Sequence, residues 1–174
     1  SPASYLQFRG FQVTTTNTND SVGGAGGFWI ETGDSIHVIN NVIHNTAIGV
    51  GDWGPAHKTY VYGNIIYEIG WVSTVRAHGH CIYGQNDGGN GWKTYKHNYA
   101  STKFTETVLG NYGFQFYAKS KGVDEYAVIE NHVYSPIVHF RDLSTSYVKD
   151  VIYSGNIVES GIVSPDINVT PDGK

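Results

Sequence analysis

Three groups of side chains in this sequence are of the types that chemistry needs. Lys119, followed by Ser120, stands 22 residues ahead of Arg141. An amine near a second cation and partly out of water is pushed toward its neutral form, which can take up a proton, so Lys119 is a candidate general base. Asp52 and Asp87 are the second group. Two carboxyls held about 5 to 9.5 Å apart can share glycoside hydrolysis, one as acid and the other as nucleophile or base. The third group is histidine. His78 and His80 flank Gly79 and on an extended strand would point to one side, where with His57 they could hold a metal or move protons. No trio of ligands stands at a dependable metal spacing, and no metal residue is assigned. Each cationic group also has a bland reading: Lys119, Lys121 and Arg141 as solvated partners of Asp124 and Asp142, and His80 as a hydrogen-bonded structural residue.

Residues so far apart need a repeat to bring them together. Between Phe28 and Asn86 the same phrase occurs twice: a short alternating apolar run, an Asn, a β-branched pair, a turn, and a second short run opened by a small residue. Self-similarity of this kind marks stacked units that each bury a face on the next. Aligned on the Asn, the units place Asn41, Asn64, Asn98, Asn131 and Asn156 at intervals of 23, 34, 33 and 25 residues. A constant inner frame with insertions of varying length fits one turn of chain per repeat. Asn suits a corner because it tolerates the left-handed conformation that a tight turn requires. Stacked at roughly the 4.7 to 4.9 Å spacing of paired strands, successive Asn amides could also hydrogen-bond into a ladder. His44, His97 and His132 lie beside these corners and read as turn residues.

A second strand after each Asn aligns Ile48, Ile82, Phe114, Ile137 and Ile162 in an inward column. Ala47, Cys81, Gly113, Pro136 and Gly161 precede them, so Cys81 reads as a small packing thiol. Alternation turns Gly49, Tyr83, Gln115 and Val138 outward, followed by Gly51, Gln85, Tyr117 and Phe140. Just beyond lie Asp52 with Trp53, Asn86 with Asp87, then Lys119, and Arg141 with Asp142. Parallel strands in register would stack these along one edge of one face. There Trp53, Tyr83, Gln85, Tyr117 and Asp87 are candidate substrate contacts, and Lys119, Arg141 and His80 are candidate catalytic residues. Trp53, Trp71 and Trp92 fall near loops, which carry function on rigid scaffolds. Rings beside a polar groove suit sugars; capping the ends of the core is the alternative.

Composition narrows the classes. With 22 Gly, 13 Tyr, no Met and only Leu6, Leu109 and Leu143, the 174 residues are poor in helix formers and rich in residues that suit a pleated surface. A formal charge of −4 and scattered Lys and Arg leave no basic stripe, which argues against nucleic acid as a partner. No apolar run approaches the roughly 20 residues that cross a bilayer. A single Cys excludes an intrachain disulfide framework. A start at Ser1 with no Met anywhere fits a mature or trimmed chain whose leader is not shown. Residues 1–174 read as a single domain, short for a stacked architecture and without an evident cap, so a segment of something longer is expected. Open end strands would favour end-to-end self-association.

The repeats resemble those of secreted proteins with a right-handed parallel β-helix, the pectate-lyase-like superfamily. The matching text is Asn41-Val-Ile-His44-Asn45, Tyr62-Gly63-Asn64-Ile-Ile-Tyr67 through Trp71, and Asn111-Tyr112-Gly113-Phe114-Gln115-Phe116-Tyr117. A further stretch, His78-Gly79-His80-Cys81-Ile82-Tyr83-Gly84-Gln85-Asn86, is similar to a Gly-His-Gly-Ile-Tyr-x-Gln-Asn line of bacterial members, with Cys81 where those have Gly. The resemblance spans residues 28 to 164 and implies an all-β, right-handed parallel β-helix, a solenoid of about six to seven turns. It also implies a polysaccharide partner. Lyases of the chondroitinase-B and alginate-lyase type carry a Lys-Ser on one turn and an Arg about one turn later, similar to Lys119-Ser120 and Arg141. In them the Lys removes the proton beside a uronate carboxylate and the Arg assists as acid; calcium is the cofactor that would neutralise the carboxylate. Lyase-type cleavage of an acidic glycan is therefore the expectation. A non-catalytic glycan-binding or structural rod, tail-spike or adhesin-like, is one alternative, and a hydrolase using Asp52 and Asp87 is another.

Overall fold

β-Branched and aromatic residues alternating with polar ones form short pleated segments. The computed structural model describes residues 4–16, 25–72, 77–86, 91–103, 111–118, 123–134, 137–142, 148–159 and 162–166, and among these there is no helix. The first repeat is β1 (Ser4–Arg9), β2 (Gln12–Thr14) and β3 (Phe28–Ile30), and the second is β4 (Gly33–Ile39), β5 (Val42–His44) and β6 (Val50–Asp52). After β7 (Ala56–His57), the third is β8 (Tyr60–Tyr62), β9 (Ile65–Ile69), the short β10 (Trp71–Val72) and β11 (Ala77–Gln85). The fourth is β12 (Lys93–Lys96), β13 (Tyr99–Thr102) and β14 (Asn111–Ala118); the fifth is β15 (Val123–Ile129), β16 (His132–Tyr134) and β17 (Ile137–Asp142). The sixth is β18 (Val148–Ser154), β19 (Ile157–Glu159) and β20 (Ile162–Asp166).

These strands form three sheets. Sheet 1 runs β1-β4-β8-β12-β15-β18 with β7 attached to β4, and sheet 2 runs β2-β5-β9-β13-β16-β19. Sheet 3 runs β3-β6-β11-β14-β17-β20 with β10 attached to β11. Among the described residues every ladder is parallel except the β10–β11 pair. Each repeat thus gives one strand to each sheet in turn, and equivalent residues of successive repeats become direct neighbours.

The core lies between the sheets. Sheet 1 sends in Val38, Val61, Tyr95 and Val128 in register, sheet 2 Ile43, Ile66, Ala100 and Val133, and sheet 3 Val50, Ile82 and Phe114. All are fully buried. The fourth repeat sets the small Ala100 against the large Tyr95 and Phe114, which keeps the enclosed volume filled. Cys81 is also fully buried, as a packing thiol, and burial pushes its ionisation up from the ordinary range. The inward column of sheet 3 differs from the sequence alignment. Val50, not Ile48, stands beside Ile82, and the backbone register pairs Phe114 with Val138 and Val138 with Val163, where Ile137 and Ile162 were expected. The loops entering these strands differ in length, so counting from the preceding small residue misplaces the register by one or two.

The corner between sheets 1 and 2 is the same in every repeat from the second onward. Asn41, Asn64, Asn98 and Asn131 are at most 1% exposed. The Oδ1 of each Asn from Asn64 to Asn156 accepts two bonds, from the backbone N–H and the Nδ2 of the Asn one repeat earlier, at 2.9 to 3.0 Å. The second Nδ2 proton goes to a sheet 1 carbonyl: Phe8, Val38, Val61, Tyr95 and Val128 in order. In the first repeat Phe11 holds the place of the Asn and its N–H donates to Asn41 Oδ1 at 2.9 Å. The ladder expected from the sequence is therefore present. The left-handed conformation, however, belongs to the residue before each ladder position: Gly10, Asn40, Gly63, His97, Glu130 and Gly155, with φ from +52° to +75°. The Asn is selected for its amide and its neighbour makes the turn. His97 is a turn residue, whereas His44 and His132 belong to β5 and β16.

Candidate functional site

Alternation along β3, β6, β11 and β14 leaves one column of sheet 3 facing away from the core: Trp29, Gly51, Tyr83 and Gln115 are in register. Gly51 has no side chain to fill its place in that column. A Cβ built on it would lie 3.5 Å from both Trp29 Cε3 and Trp53 Nε1. Trp53, two residues later, folds its indole back over the gap. It stacks on Trp29 at 5.2 Å with 21° between planes and meets Tyr83 at 5.0 Å and 56°. Tyr83 continues the row to Tyr117 at 6.2 Å and 29°. A branch runs from Tyr83 to His80 at 5.4 Å and on to Tyr112, also at 5.4 Å and within 4° of parallel. Gln85, in register with Tyr117, donates from Nε2 to the Tyr83 hydroxyl at 2.8 Å.

Near-parallel neighbours partly cover one another's faces, so much of what solvent meets along this row is ring edge, hydroxyl, amide and imidazole. Such edges suit the hydroxyl and carboxylate groups of a sugar chain as hydrogen-bond partners. Trp29, at the end of the row, is 48% exposed and the most open of these rings.

Of the residues singled out in the sequence, Trp53, Tyr83, Gln85, Tyr117 and His80 come together here. Arg141 stands beside Tyr117 in the β14–β17 register, and Asp166 stands beside Arg141 in turn. Lys119 and Asp87 lie outside the described residues. Trp29 was missed, although Phe28-Trp29-Ile30 places one outward aromatic between two apolar residues. His78 and His80 lie on β11, but Gly79 between them takes φ +104°. The strand is irregular there, and alternation does not assign the two histidines a common side. His57 belongs to β7, paired with β4. Among the described residues no group of three or more His, Cys, Asp or Glu could hold a metal ion. Trp92 is 39% exposed.

Asp52 is not an edge residue. It is the last residue of β6, still in register with Ile30 and Gly84, and alternation turns it inward. It is fully buried, as is Lys93, whose Nζ lies 2.7 Å from Asp52 Oδ1. Tyr95 donates its hydroxyl to Asp52 Oδ2 at 2.7 Å, and Thr59 donates to the same oxygen. Gly84 makes this reach feasible, since a Cβ there would stand 2.8 Å from the Tyr95 hydroxyl. Burial first, and then the charge of Asp52, push the Tyr95 phenol well above its usual ionisation range and keep it a donor. Asp52 is therefore withdrawn from any substrate on the outer flank, and the expected pairing with Asp87 as two solvent-facing carboxyls does not hold for Asp52. No protein-family model, curated protein or solved structure matches this chain.

Proposed function

We propose that the chain is a right-handed parallel β-helix solenoid of the pectate-lyase-like kind, a secreted protein that holds an extended acidic polysaccharide along the outer face of sheet 3. Strands that visit three parallel sheets in rotation, with an amide ladder at one corner, support the solenoid. The observation that carries the ligand class is the row Trp29-Trp53-Tyr83-Tyr117, one ring from each of the first four repeats, with Gln85 beside it and Arg141 at the next strand position. Such a row repeats along the stack as sugar units repeat along a chain.

On this reading Lys119, two residues past Tyr117, removes the proton next to a uronate carboxylate, and Arg141 assists as acid. Arg141 offsets the carboxylate charge, because abstraction from carbon needs that charge neutralised; calcium would supply the same charge, but the described residues offer no group to hold it. Pectin, alginate, chondroitin and neutral glycans offered as a panel test it by ultraviolet absorbance of the unsaturated product and by reducing ends. Lys119→Ala and Arg141→Ala each abolish turnover with the fold intact, and full activity in both variants would remove the proposed site. The second reading, a glycan-binding rod without turnover, is favoured by His80, whose imidazole is packed between Tyr83 and Tyr112 as a member of the row. Retention on a polysaccharide column without either product supports that one.

A further inference from the structure

We infer that the buried Asp52–Lys93 pair is the device that positions Trp53 and so completes the aromatic row from inside the molecule. The inference rests on the row being a binding face, but its structural half stands by itself. Trp53 follows directly on Asp52, and its backbone is held at both ends. Its N–H donates to Ile30 O at 2.9 Å, and its carbonyl accepts from Lys93 Nζ at 2.7 Å and from Ala56 N at 3.0 Å. Lys93 reaches this carbonyl from sheet 1 across the interior, and the same ammonium is fixed by Asp52 Oδ1. The carboxylate is fixed in turn by the hydroxyls of Tyr95 and Thr59. One buried ammonium therefore ties the strand end that carries Trp53 to β12, two repeats along in sequence.

A buried pair of this kind is weak evidence for stability, since apolar residues of similar volume often do as well. Its value lies in direction. The ammonium donates to one named carbonyl, and an apolar replacement cannot. With Gly51 leaving the surface open, the indole of Trp53 rests between Trp29 and Tyr83, and the bonds to its backbone set the point from which it reaches them. Lys93 and Asp52 are thus positioning residues acting through Trp53.

The test compares the wild-type chain with Lys93→Met/Asp52→Leu, which replaces the pair by apolar side chains, and with Tyr95→Phe, which removes one grip on Asp52 and keeps the pair. The readouts are the exciton couplet of the stacked indoles in circular dichroism, assigned by its loss in Trp29→Phe, and affinity for soluble alginate and pectin. In the double variant the couplet disappears and affinity falls about tenfold or more, while the melting transition stays cooperative. Tyr95→Phe weakens both signals in the same direction. An unchanged couplet and unchanged affinity in both variants overturns the inference. If the couplet is lost as expected but the wild-type chain binds neither polysaccharide, positioning stands and the reading of the face as a glycan site fails.

Discussion

Two corners of this molecule solve the same problem in opposite ways. Where sheet 1 meets sheet 2, one left-handed residue and one Asn turn the chain in each repeat from Asn41 onward, and the buried amides satisfy one another. Where sheet 3 meets sheet 1 the connections vary in length: Glu31 and Thr32 in one repeat, residues 53–59, which include β7, in the next. There the buried polar groups do not repeat: Asp52 pairs with Lys93 and is served by Thr59 and Tyr95, and Asn86 donates to the Asp124 carbonyl. The uniform corner builds the stack, and the irregular one carries what is particular to this protein. A polar group repeated at every level can be satisfied by its own copies, whereas a polar group used once needs partners recruited from elsewhere in the chain.

The sharpest way to break this contrast is Asn98→Ala. Asn98 sits in mid-ladder, and its loss strands two groups in the interior, the Asn64 backbone N–H and the Val61 carbonyl, while Asn131 Oδ1 keeps the N–H of residue 98. At about 1 to 3 kcal/mol for each buried group left unpaired, the loss is roughly 2 to 6 kcal/mol in denaturant melting. Asn156→Ala, at the partly exposed end of the ladder, costs less than half as much. Equal costs would mean that the ladder does not act as a mutually supporting column. Next in size is Asp52→Ala, which leaves the Lys93 ammonium buried beside a cavity and costs about 3 to 5 kcal/mol. A loss within about 0.5 kcal/mol, typical of surface sites, would show that the irregular corner does not depend on its ion pair.

These corners also mark how much was legible beforehand. The ladder was, because Asn41, Asn64, Asn98, Asn131 and Asn156 recur with an apolar or aromatic position or two after each, and an amide gives from its nitrogen while it takes at its oxygen along a stack. The residue that makes the turn was not, because Gly10, Asn40, Gly63, His97, Glu130 and Gly155 share a backbone conformation and no chemistry. Tyr83, Gln85 and Tyr117 could be placed on one flank by alternation alone. Asp52 could not: an aspartate at a strand end reads as solvated, and its partner Lys93 lies 41 residues away, on a different sheet. Trp53 was picked out at its strand end, but Trp29, on which it stacks, was not: Gly51 stands beside Trp29 in the outward column, and a missing side chain carries no pattern.

A smaller effect separates surface from core. Gly51 has an ordinary backbone conformation and its added Cβ would make only van der Waals contacts, so Gly51→Ala is close to neutral. Gly51→Leu fills the space that the Trp53 indole uses. The expected cost is modest, about 1 kcal/mol in melting, but the Trp29–Trp53 stacking signal disappears. A retained signal would show that the row does not depend on this gap.

The smallest effect concerns pH, and it too separates the corners. Ladder amides do not titrate. Cys81 and Tyr95 do, and both are fully buried with their ionisation pushed upward from ordinary values of 9.0 and 10.0. Above about pH 9 the unfolded chain gives up protons that the native chain keeps, so the native state binds more protons and stability falls as pH rises. Below that range both states are protonated and these two groups contribute no slope. Each group adds at most about 1.4 kcal/mol per pH unit. Cys81→Ala moves the onset of the decline from about pH 9 toward 10, Tyr95→Phe flattens the part above 10, and Asn98→Ala lowers the whole curve without changing its alkaline slope. A wild-type profile that stays level from pH 9 to 11 in urea melts would show that these groups ionise as readily inside the fold as outside it, and the irregular corner would then be wetter than its burial implies.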